Sequence, residues 1–298
     1  MNKNIIEIKN LTKDYGNNQG IFDINLEIKK GEVYGFLGPN GAGKTTTIRH
    51  LMGFMKADKG TCCIDGLDCF KEASIIQKKV GYIPGEIAFM NEMNGMEFIR
   101  FMANYRGLKD LTKAHELLKR FDLDPHGKIR KMSKGMKQKL GIIVAFMHDP
   151  DILILDEATS GLDPLMQNIF VELIKEEKKK GKTILMSSHM FEEIEKTCDK
   201  VAIIKAGRIV ATDTIVNLRK SQAKKYTITF NNKKEINDFK KEGMEIVDIS
   251  EDKVTLLVQN NIKQFITLLN KYDVISIDEE MQGLEDIFLE FYRGEKND

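Results

Sequence analysis

A glycine-rich segment between a β-prone run and a helix-prone run constrains the fold of this chain more than any other feature. It reads Gly38-Pro39-Asn40-Gly41-Ala42-Gly43-Lys44-Thr45-Thr46. Glycines let the backbone take positive φ and turn successive N–H groups inward, where the following helix adds its dipole to anion binding. In such a loop Lys44 reaches the β- and γ-phosphates, and the hydroxyl of Thr45 binds Mg²⁺. Strand, loop and helix in this order predict a nucleotide-binding α/β fold.

The size and charge of the chain limit its partners. Its 298 residues exceed the usual size of one hydrophobic core, so two domains are expected. Lys and Arg number 46 against 45 Asp and Glu, and the resulting net charge of +1 creates no general field for nucleic acid or an anionic membrane surface. We therefore predict no nucleic-acid partner.

No segment has the composition of a membrane span or a signal peptide. The longest apolar run, residues 140–147, is far shorter than the roughly 20 residues that cross a bilayer. Residues 1–9 alternate apolar and charged side chains and lack the apolar core of a signal peptide. The sequence predicts a cytoplasmic protein that does not cross a membrane by itself.

The spacing of apolar residues changes along the chain and predicts its organisation. Residues 5–87 indicate strands joined by Gly and Asp turns, and hence a mixed sheet. From about 91 to 148 the spacing is helical, which indicates a helical subdomain. Near-continuous apolar runs, typical of buried parallel strands, follow at 152–155, 183–186 and 201–204. We predict one α/β domain over residues 1–220.

A second, smaller domain is predicted over residues 224–298. Its patterns occur in the order β-α-β-β-α-β, which is that of a ferredoxin-like α+β fold, with a final helix at 284–292. It contains no catalytic constellation. A structural, dimer-stabilising or regulatory role is favoured over that of a small-ligand sensor.

Two carboxylates follow one of the buried strands. The run Ile152-Leu153-Ile154-Leu155-Asp156-Glu157 places them at the carboxyl end of a strand, where ligands of open α/β sheets bind. Asp156 is expected beside the Mg²⁺ that Thr45 holds. Glu157 is then placed to polarise or deprotonate the water that attacks the γ-phosphorus. The alternative is an ordinary acidic helix cap after a strand.

Together these residues resemble the ATPase subunit of ABC transporters, and the segment 131–139 makes the resemblance specific. It reads Lys131-Met132-Ser133-Lys134-Gly135-Met136-Lys137-Gln138-Lys139 and occupies the place of the family signature, commonly Leu-Ser-Gly-Gly-Gln. Ser133 and Gly135 match the serine and the second glycine, whereas Met132, Lys134 and Met136 depart from the usual residues. A serine hydroxyl and a glycine amide that open a helix suit a γ-phosphate clamp.

Other positions match the family in order. Tyr15 corresponds to the aromatic residue that stacks on adenine, Asp163 to the loop that communicates between subunits, and His189 to the switch histidine near the γ-phosphate. One departure stands out after Pro84, where the family usually has Gln or Glu as a metal ligand. Here Gly85 occupies that place and Glu86 follows, so either Glu86 takes over the role or Thr45 and Asp156 bind the metal alone.

The resemblance implies a fold, ligands and partners. The fold is a P-loop NTPase of ABC ATPase type, with a mixed sheet and a helical subdomain. The ligands are ATP, bound by Tyr15 and the loop 38–46, and Mg²⁺, bound by Thr45 and Asp156. Glu157 and His189 are the expected catalytic residues. Ser133, Lys134 and Gly135 are expected to contact the ATP of a second copy in a head-to-tail dimer.

A separate transmembrane permease is the implied second partner, and it holds the chain at the inner face of the cell membrane. The Ser-Lys-Gly-Met signature, the Pro-Gly-Glu loop and the small C-terminal domain resemble ATPases of bacitracin-type and other drug exporters. Two alternatives belong to other classes. One is a soluble ABC-type ATPase that acts on ribosomes or DNA, and the other is an ordinary phosphoryl transferase, which would not need Ser133-Lys134-Gly135.

Overall fold

The computed structural model describes residues 3–221, 224–258 and 262–281. Its contacts divide the chain into two compact units, Met1–Ile215 and Val216–Asp298. The described elements that precede α8 are, in chain order, β1 (Asn4–Asp14), β2 (Gly20–Lys29), β3 (Val33–Leu37), α1 (Lys44–Leu51), β4 (Lys59–Ile64), β5 (Leu67–Asp68), α2 (Ala73–Lys79), β6 (Val80–Ile83), α3 (Gly95–Arg106), α4 (Thr112–Arg120), α5 (Lys134–Phe146), β7 (Ile152–Asp156), α6 (Pro164–Lys179), β8 (Thr183–Ser188), α7 (Phe191–Thr197), β9 (Lys200–Lys205) and β10 (Arg208–Thr214).

The helix α8 (Ile215–Ser221) begins at the last residue of the first unit. The elements after it are β11 (Lys224–Phe230), α9 (Lys233–Phe239), β12 (Glu245–Ser250), β13 (Lys253–Val258), α10 (Ile262–Leu269) and β14 (Val274–Met281). Single 3-10 turns occur at Ile129–Lys131 and Lys240–Glu242. Within the described ranges, no helix is both long enough and apolar enough to span a membrane.

A six-stranded mixed sheet forms the centre of the first unit, in the order β10-β9-β3-β8-β7-β6. Strands β9, β3, β8, β7 and β6 run parallel, and β10 pairs antiparallel with β9. Every residue of β3, β7 and β8 is buried, which explains their continuous apolar runs. The loops that leave β3, β6, β7 and β8 therefore meet at one edge of the sheet.

The strands of residues 5–87 are divided between two sheets, where the sequence pattern suggested one. β1, β2, β4 and β5 form a separate antiparallel sheet in the order β2-β1-β4-β5, while β3 and β6 join the central sheet. The two sheets differ in the burial of their strands. β2 alternates buried and exposed residues and so has only one apolar face. That face packs into the same core as α1 and β7.

Three helices and a 3-10 turn connect β6 to β7. α3 begins with a capping box, in which the Asn94 side chain accepts from the Glu97 backbone and the Glu97 side chain accepts from the Asn94 backbone. It ends at Gly107, which has a left-handed φ of 71°. The helical subdomain that the fold class includes is therefore confirmed, and it carries Ser133 at the start of α5.

The second unit has the predicted ferredoxin-like topology. Its four strands are antiparallel in the order β12-β13-β11-β14. Alternate residues of β11 and β13 share one core with apolar residues of α9 and α10, among them Phe239 and Phe265. Both helices therefore cover the same face of the sheet. The final helix predicted at 284–292 lies outside the described residues.

Candidate functional site

A cavity of about 870 Å³ opens at the carboxyl edge of the central sheet. The predicted site residues that line it are Tyr15, Asn40, Gly41, Gly43, Lys44, Thr45, Thr46, Glu86, Lys134, Glu157 and His189. They come from six separate parts of the sequence, and the parallel strand order brings together the parts that follow β3, β6, β7 and β8. The predicted residues outside its lining are Gly38, Pro39, Ala42, Ser133, Gly135, Asp156 and Asp163.

The glycine-rich loop owes its shape to its glycines and to one buried lysine. Gly41 and Gly43 have φ values of 80° and 109°, which other residues rarely adopt. The Lys44 ammonium is buried and donates to the carbonyl oxygens of Gly38 at 2.6 Å and Pro39 at 3.0 Å. The first two loop residues thus position the lysine. Ala42 is buried in the core.

Lys44, Glu157 and His189 form a polar row in the cavity. Lys44 Nζ lies 3.2 Å from Glu157 Oε1, and His189 Nδ1 lies 3.6 Å from Glu157 Oε2. The lysine is 4% exposed and the histidine 47% exposed. The row therefore runs from the protein interior to solvent, with the carboxylate in the middle, and can hold phosphate oxygens at one end and a water at its centre.

Glu157 has an unusual backbone conformation. Its φ is 48°, in the left-handed region that costs a side-chain-bearing residue about 1–2 kcal/mol. The Glu157 N–H donates to the Ser187 carbonyl oxygen at 3.2 Å and to Ser187 Oγ at 3.1 Å. These contacts with β8 hold the turn that directs the carboxylate into the cavity.

Asp156 lies behind the cavity wall with one oxygen satisfied and one unpaired. Its Oδ1 accepts a short hydrogen bond from Ser187 Oγ, and its buried Oδ2 has no hydrogen-bond partner within the described residues. A Cβ atom at Gly85 would stand 3.0 Å from Asp156 Oδ2 and 3.6 Å from Thr45 Oγ1. The two oxygens therefore flank the space beside Gly85, and carboxylate and hydroxyl oxygens are ligands that suit Mg²⁺.

Tyr15 and Glu86 lie on the walls of the cavity and are both exposed. The ring of Tyr15 is 51% exposed, and its hydroxyl lies 3.5 Å from Met55 Sδ, which leaves a ring face free for a base. Glu86 lines the cavity, but Gly85 is the residue beside Asp156 and Thr45.

The signature segment opens α5. Ser133 is its N-cap, and the serine Oγ accepts from the Met136 N–H at 3.2 Å. Lys134 turns toward its own cavity, where its Nζ donates to Ser160 Oγ at 3.0 Å. Gly135 lies so close to the loop after β7 that a Cβ there would stand 2.8 Å from the Gly161 carbonyl oxygen.

Asp163 has a local structural partner. It is exposed and caps α6, with its Oδ1 accepting from the Met166 N–H at 3.0 Å. The sequence pattern Asp-Pro at a helix start explains this arrangement.

Several buried polar residues around the site were missed by sequence reasoning. Gln138 on α5 donates to the Ala158 carbonyl oxygen at 2.7 Å and so joins the signature helix to the loop after Glu157. Ser187 contacts both Asp156 and Glu157, and its only sequence signal was a pair of serines before His189. Glu193 on α7 is 5% exposed. Sequence reasoning missed it because it lies in a run of acidic residues, which is typical of the exposed face of a helix.

Glu193 has a perturbed acidity. Burial raises the pKa of its carboxyl to about 7, hydrogen bonds from Ser188 and Thr159 oppose that rise, and the nearby Glu157 adds to it. Its Oε1 is buried and has no hydrogen-bond partner in the part of the chain that the structure describes. A carboxyl of this kind changes its charge near neutral pH.

Comparisons with known proteins identify the family of the chain. The family model described as ABC transporter matches residues 21–160. The bacitracin transport ATP-binding protein BcrA of Bacillus licheniformis is 33% identical over 302 residues, which cover 97% of this chain and 98% of the relative. The uncharacterised ABC transporter ATP-binding protein YhcH of Bacillus subtilis is 36% identical over 220 residues, covering 70% of this chain and 69% of the relative.

A solved structure extends the agreement to the fold. A structure described as the ATP-binding subunit of an ABC transporter is 33% identical and superposes with a TM-score of 0.67. It covers 72% of this chain and 92% of the solved one. The site geometry, the full-length similarity and the shared fold lead to one conclusion: the chain belongs to the ABC transporter ATP-binding proteins and is an ATPase of that family.

Proposed function

We propose that the chain drives an ABC exporter by hydrolysing ATP, as a head-to-tail pair of copies bound to a separate transmembrane permease at the inner face of the cell membrane. One observation carries the proposal: Lys44, Glu157 and His189 form a polar row in a cavity that the glycine-rich loop and Tyr15 also line. This arrangement supplies a phosphate-binding cation, a carboxylate base and a γ-phosphate contact at one edge of the sheet.

The proposed chemistry assigns one task to each residue. When ATP enters, Lys44 exchanges Glu157 for oxygens of the β- and γ-phosphates. Glu157 then accepts a proton from a water molecule as the water oxygen bonds to the γ-phosphorus. The bond from the γ-phosphorus to its bridging oxygen breaks, and its electron pair leaves with ADP. His189 donates a hydrogen bond to the γ-phosphate as charge shifts there.

We assign the binding of Mg²⁺ to Thr45 and Asp156. The unpaired Oδ2 of Asp156 and the Thr45 hydroxyl flank the space beside Gly85, where they would hold Mg²⁺. When bound there, Mg²⁺ neutralises phosphate charge during transfer. Glu86, exposed on the same cavity, is the proposed third contact toward the metal or its water shell.

The head-to-tail pair is proposed from the position of the signature. Ser133 and Gly135 do not line their own chain's cavity, and Ser133 opens α5 with its N–H groups toward the helix start. We infer that Ser133 and Gly135 contact the γ-phosphate held by the second copy, whereas Lys134, whose Nζ donates to Ser160 Oγ in its own cavity, would have to leave that contact to join them. Asp163 comes two residues after Gly161, whose carbonyl oxygen would stand 2.8 Å from a Cβ at Gly135, and we assign it to communication between the two copies.

Export is the proposed direction. BcrA is named for bacitracin transport, and its similarity to this chain covers both units rather than the ATPase unit alone. The Ser-Lys-Gly-Met signature and the Pro-Gly-Glu loop support the same class.

Replacement of Glu157 by Gln tests the proposal. The amide keeps the side-chain size but cannot accept a proton, so we expect kcat for ATP hydrolysis to fall about 100- to 1000-fold while ATP still binds. The variant should also accumulate as a dimer with ATP, measured by light scattering after size-exclusion chromatography. The exposed Glu116→Gln serves as the control and should behave like the parent. Rapid steady turnover by Glu157→Gln would contradict the role of Glu157 as the base.

A further inference from the structure

One buried carboxyl connects the two loops that carry the proposed catalytic residues. Glu193 Oε2 accepts from Ser188 Oγ at 2.7 Å and from Thr159 Oγ1 at 3.2 Å. Ser188 directly precedes His189, and Thr159 comes two residues after Glu157. All three side chains in this group are at most 5% exposed. A single oxygen atom thus joins segments that are about 30 residues apart in the sequence and end at the same cavity.

The contact with Ser188 fixes the backbone around His189. Ser188 Oγ donates to Glu193 and accepts from the Met190 N–H at 3.0 Å, so the serine spans the histidine with a closed turn. The serine hydroxyl has one hydrogen to donate, and Glu193 determines its direction. Loss of that acceptor frees the hydroxyl to turn and loosens the backbone on both sides of His189.

The contact with Thr159 fixes the loop after Glu157. The loop is short and turned, because the Ser160 N–H donates to the Glu157 carbonyl oxygen at 3.0 Å. Thr159 is 3% exposed, so bulk water is a poor substitute acceptor for its hydroxyl. Glu193 therefore restrains the same turn that places the Glu157 carboxylate against Lys44.

The helix that carries Glu193 is itself held on the central sheet. α7 crosses β3 at Gly35, where a Cβ would stand 2.6 Å from Ile194 Cγ2 and 3.2 Å from Cys198 Sγ. Thr197 Oγ1 also donates to the Glu193 carbonyl oxygen at 2.7 Å. The backbone of Glu193 cannot move toward or away from the site without displacing buried atoms, so its carboxyl is a fixed reference point.

We propose that Glu193 is a positioning residue for ATP hydrolysis: its Oε2 holds Thr159 and Ser188, and through them sets the distance between the Glu157 carboxylate and the His189 ring. Glu193 does not line the cavity that Lys44, Glu157 and His189 share. Because Glu157 and His189 have their roles only in the proposed function, the effect of Glu193 depends on that proposal.

The test compares substitutions that differ in the acceptor oxygen, with steady-state hydrolysis of Mg-ATP by the full-length chain as the readout. Glu193→Leu keeps a similar volume and removes the acceptor, and we expect kcat to fall about 10- to 100-fold with KM for ATP within about 3-fold. Glu193→Gln keeps an acceptor oxygen for both hydroxyls, and its kcat should stay within about 3-fold of the parent. Glu192→Leu changes the exposed residue that precedes Glu193. It is the matched control and should not change kcat.

Thr159→Val provides an independent test that preserves shape. It removes one donor, so we expect kcat to fall about 3- to 10-fold. Because the hydroxyl acts only through Glu193, the double variant with Glu193→Leu should be no slower than Glu193→Leu alone. If Glu193→Leu does not fold, the comparison of Thr159→Val and Glu193→Gln with the parent still decides the question.

Three results would overturn the inference: a kcat for Glu193→Leu or for Thr159→Val equal to that of the parent, a loss in Glu193→Gln as large as in Glu193→Leu, or multiplied losses in the double variant. Glu157→Gln, measured in the same series, separates this inference from the proposed function. An inactive Glu157→Gln beside a fully active Glu193→Leu rejects only the positioning role. An active Glu157→Gln rejects the proposed base itself.

Discussion

At the scale of single residues, the site depends on atoms that are placed by what surrounds them. Asp156 shows this most clearly, because one oxygen accepts from Ser187 and the other, beside Gly85, has no partner among the residues that the structure describes. An unpaired buried carboxylate oxygen is costly unless a cation or donor meets it. Gly85 keeps the space beside it open because glycine has no side chain.

Gly85→Ala tests this reading of the metal site. The new methyl carbon would stand 3.0 Å from Asp156 Oδ2, closer than most such contacts, and would take space from a metal ligand or its water. We expect the Mg²⁺ concentration for half-maximal hydrolysis to rise about 3- to 10-fold, which is about 1 kcal/mol of lost binding. A magnesium titration of ATPase activity measures it.

The control for this substitution is Gly127→Ala. A Cβ at Gly127 meets nothing within 4 Å, and the position lies on the surface of the helical subdomain. It should leave the magnesium dependence unchanged. An unchanged dependence in Gly85→Ala as well would mean that the metal does not lie between Thr45 and Asp156.

At the scale of elements, the predictions from sequence succeeded where the signal was local. The glycine-rich loop, the run before Asp156 and the β-α-β-β-α-β order each lie in one stretch, and each fold assignment is confirmed. The division of the first strands between two sheets was not predicted, because strand partners are chosen by burial across the fold. Glu193 was missed for the same reason, since its partner Thr159 is 34 positions away.

A contact between α3 and the central sheet also joins residues that are far apart in the sequence. Arg106, at the end of α3, donates to the carbonyl oxygens of Lys78 and Val80 and lies 2.9 Å from His148 Nε2. Burial, and next the Arg106 charge, lower the pKa of His148 to about 4. A protonated imidazole is therefore unfavourable in the folded protein.

This contact predicts that the free energy of unfolding decreases in acid. Between pH 6.5 and about 4 the unfolded chain gains a proton on His148 that the folded protein does not accept, so stability is complete above that window and falls as the pH decreases through it. At pH 5 the loss from this residue is about 2 kcal/mol relative to pH 7. Urea unfolding of the parent and of His148→Asn at both pH values should show this difference, because asparagine does not titrate.

His126→Asn is the matched control for that measurement. His126 is exposed, and its replacement controls for the removal of a histidine as such. If the free energy of unfolding has the same pH dependence in the parent and in His148→Asn, the contact between α3 and the central sheet tolerates a protonated imidazole.

At the scale of the whole molecule, two hydrophobic clusters of the described residues lie in different units and share no member. The core of the first unit gathers residues of the antiparallel sheet, α1 and the central strands, and the core of the second unit gathers residues of β11, β13, α9 and α10. All lining residues of the 870 Å³ cavity belong to the first unit. ATP should therefore stabilise only one of the two.

Calorimetry of the full-length chain tests this expectation. Mg-ATP at about 100 times its Kd should stabilise the first unit by about 2.7 kcal/mol and raise its transition temperature, while the second transition stays in place. Phe239→Ala, at a fully buried position of the second core, should lower only the other transition, by about 3–5 kcal/mol of stability. A single transition that responds to both changes would mean that the two cores unfold as one.

The contact between Lys44 and Glu157 has a consequence for the order of events. The carboxylate and the phosphates of ATP compete for the same ammonium group, so the protein carries its own competitive ligand for the loop. In the proposed function, ATP affinity is lowered by the strength of that contact, and the Glu157 carboxylate is released only when a phosphate replaces it. The contact would then act as an interlock, because Glu157 becomes free to act as the base only once the substrate is in place.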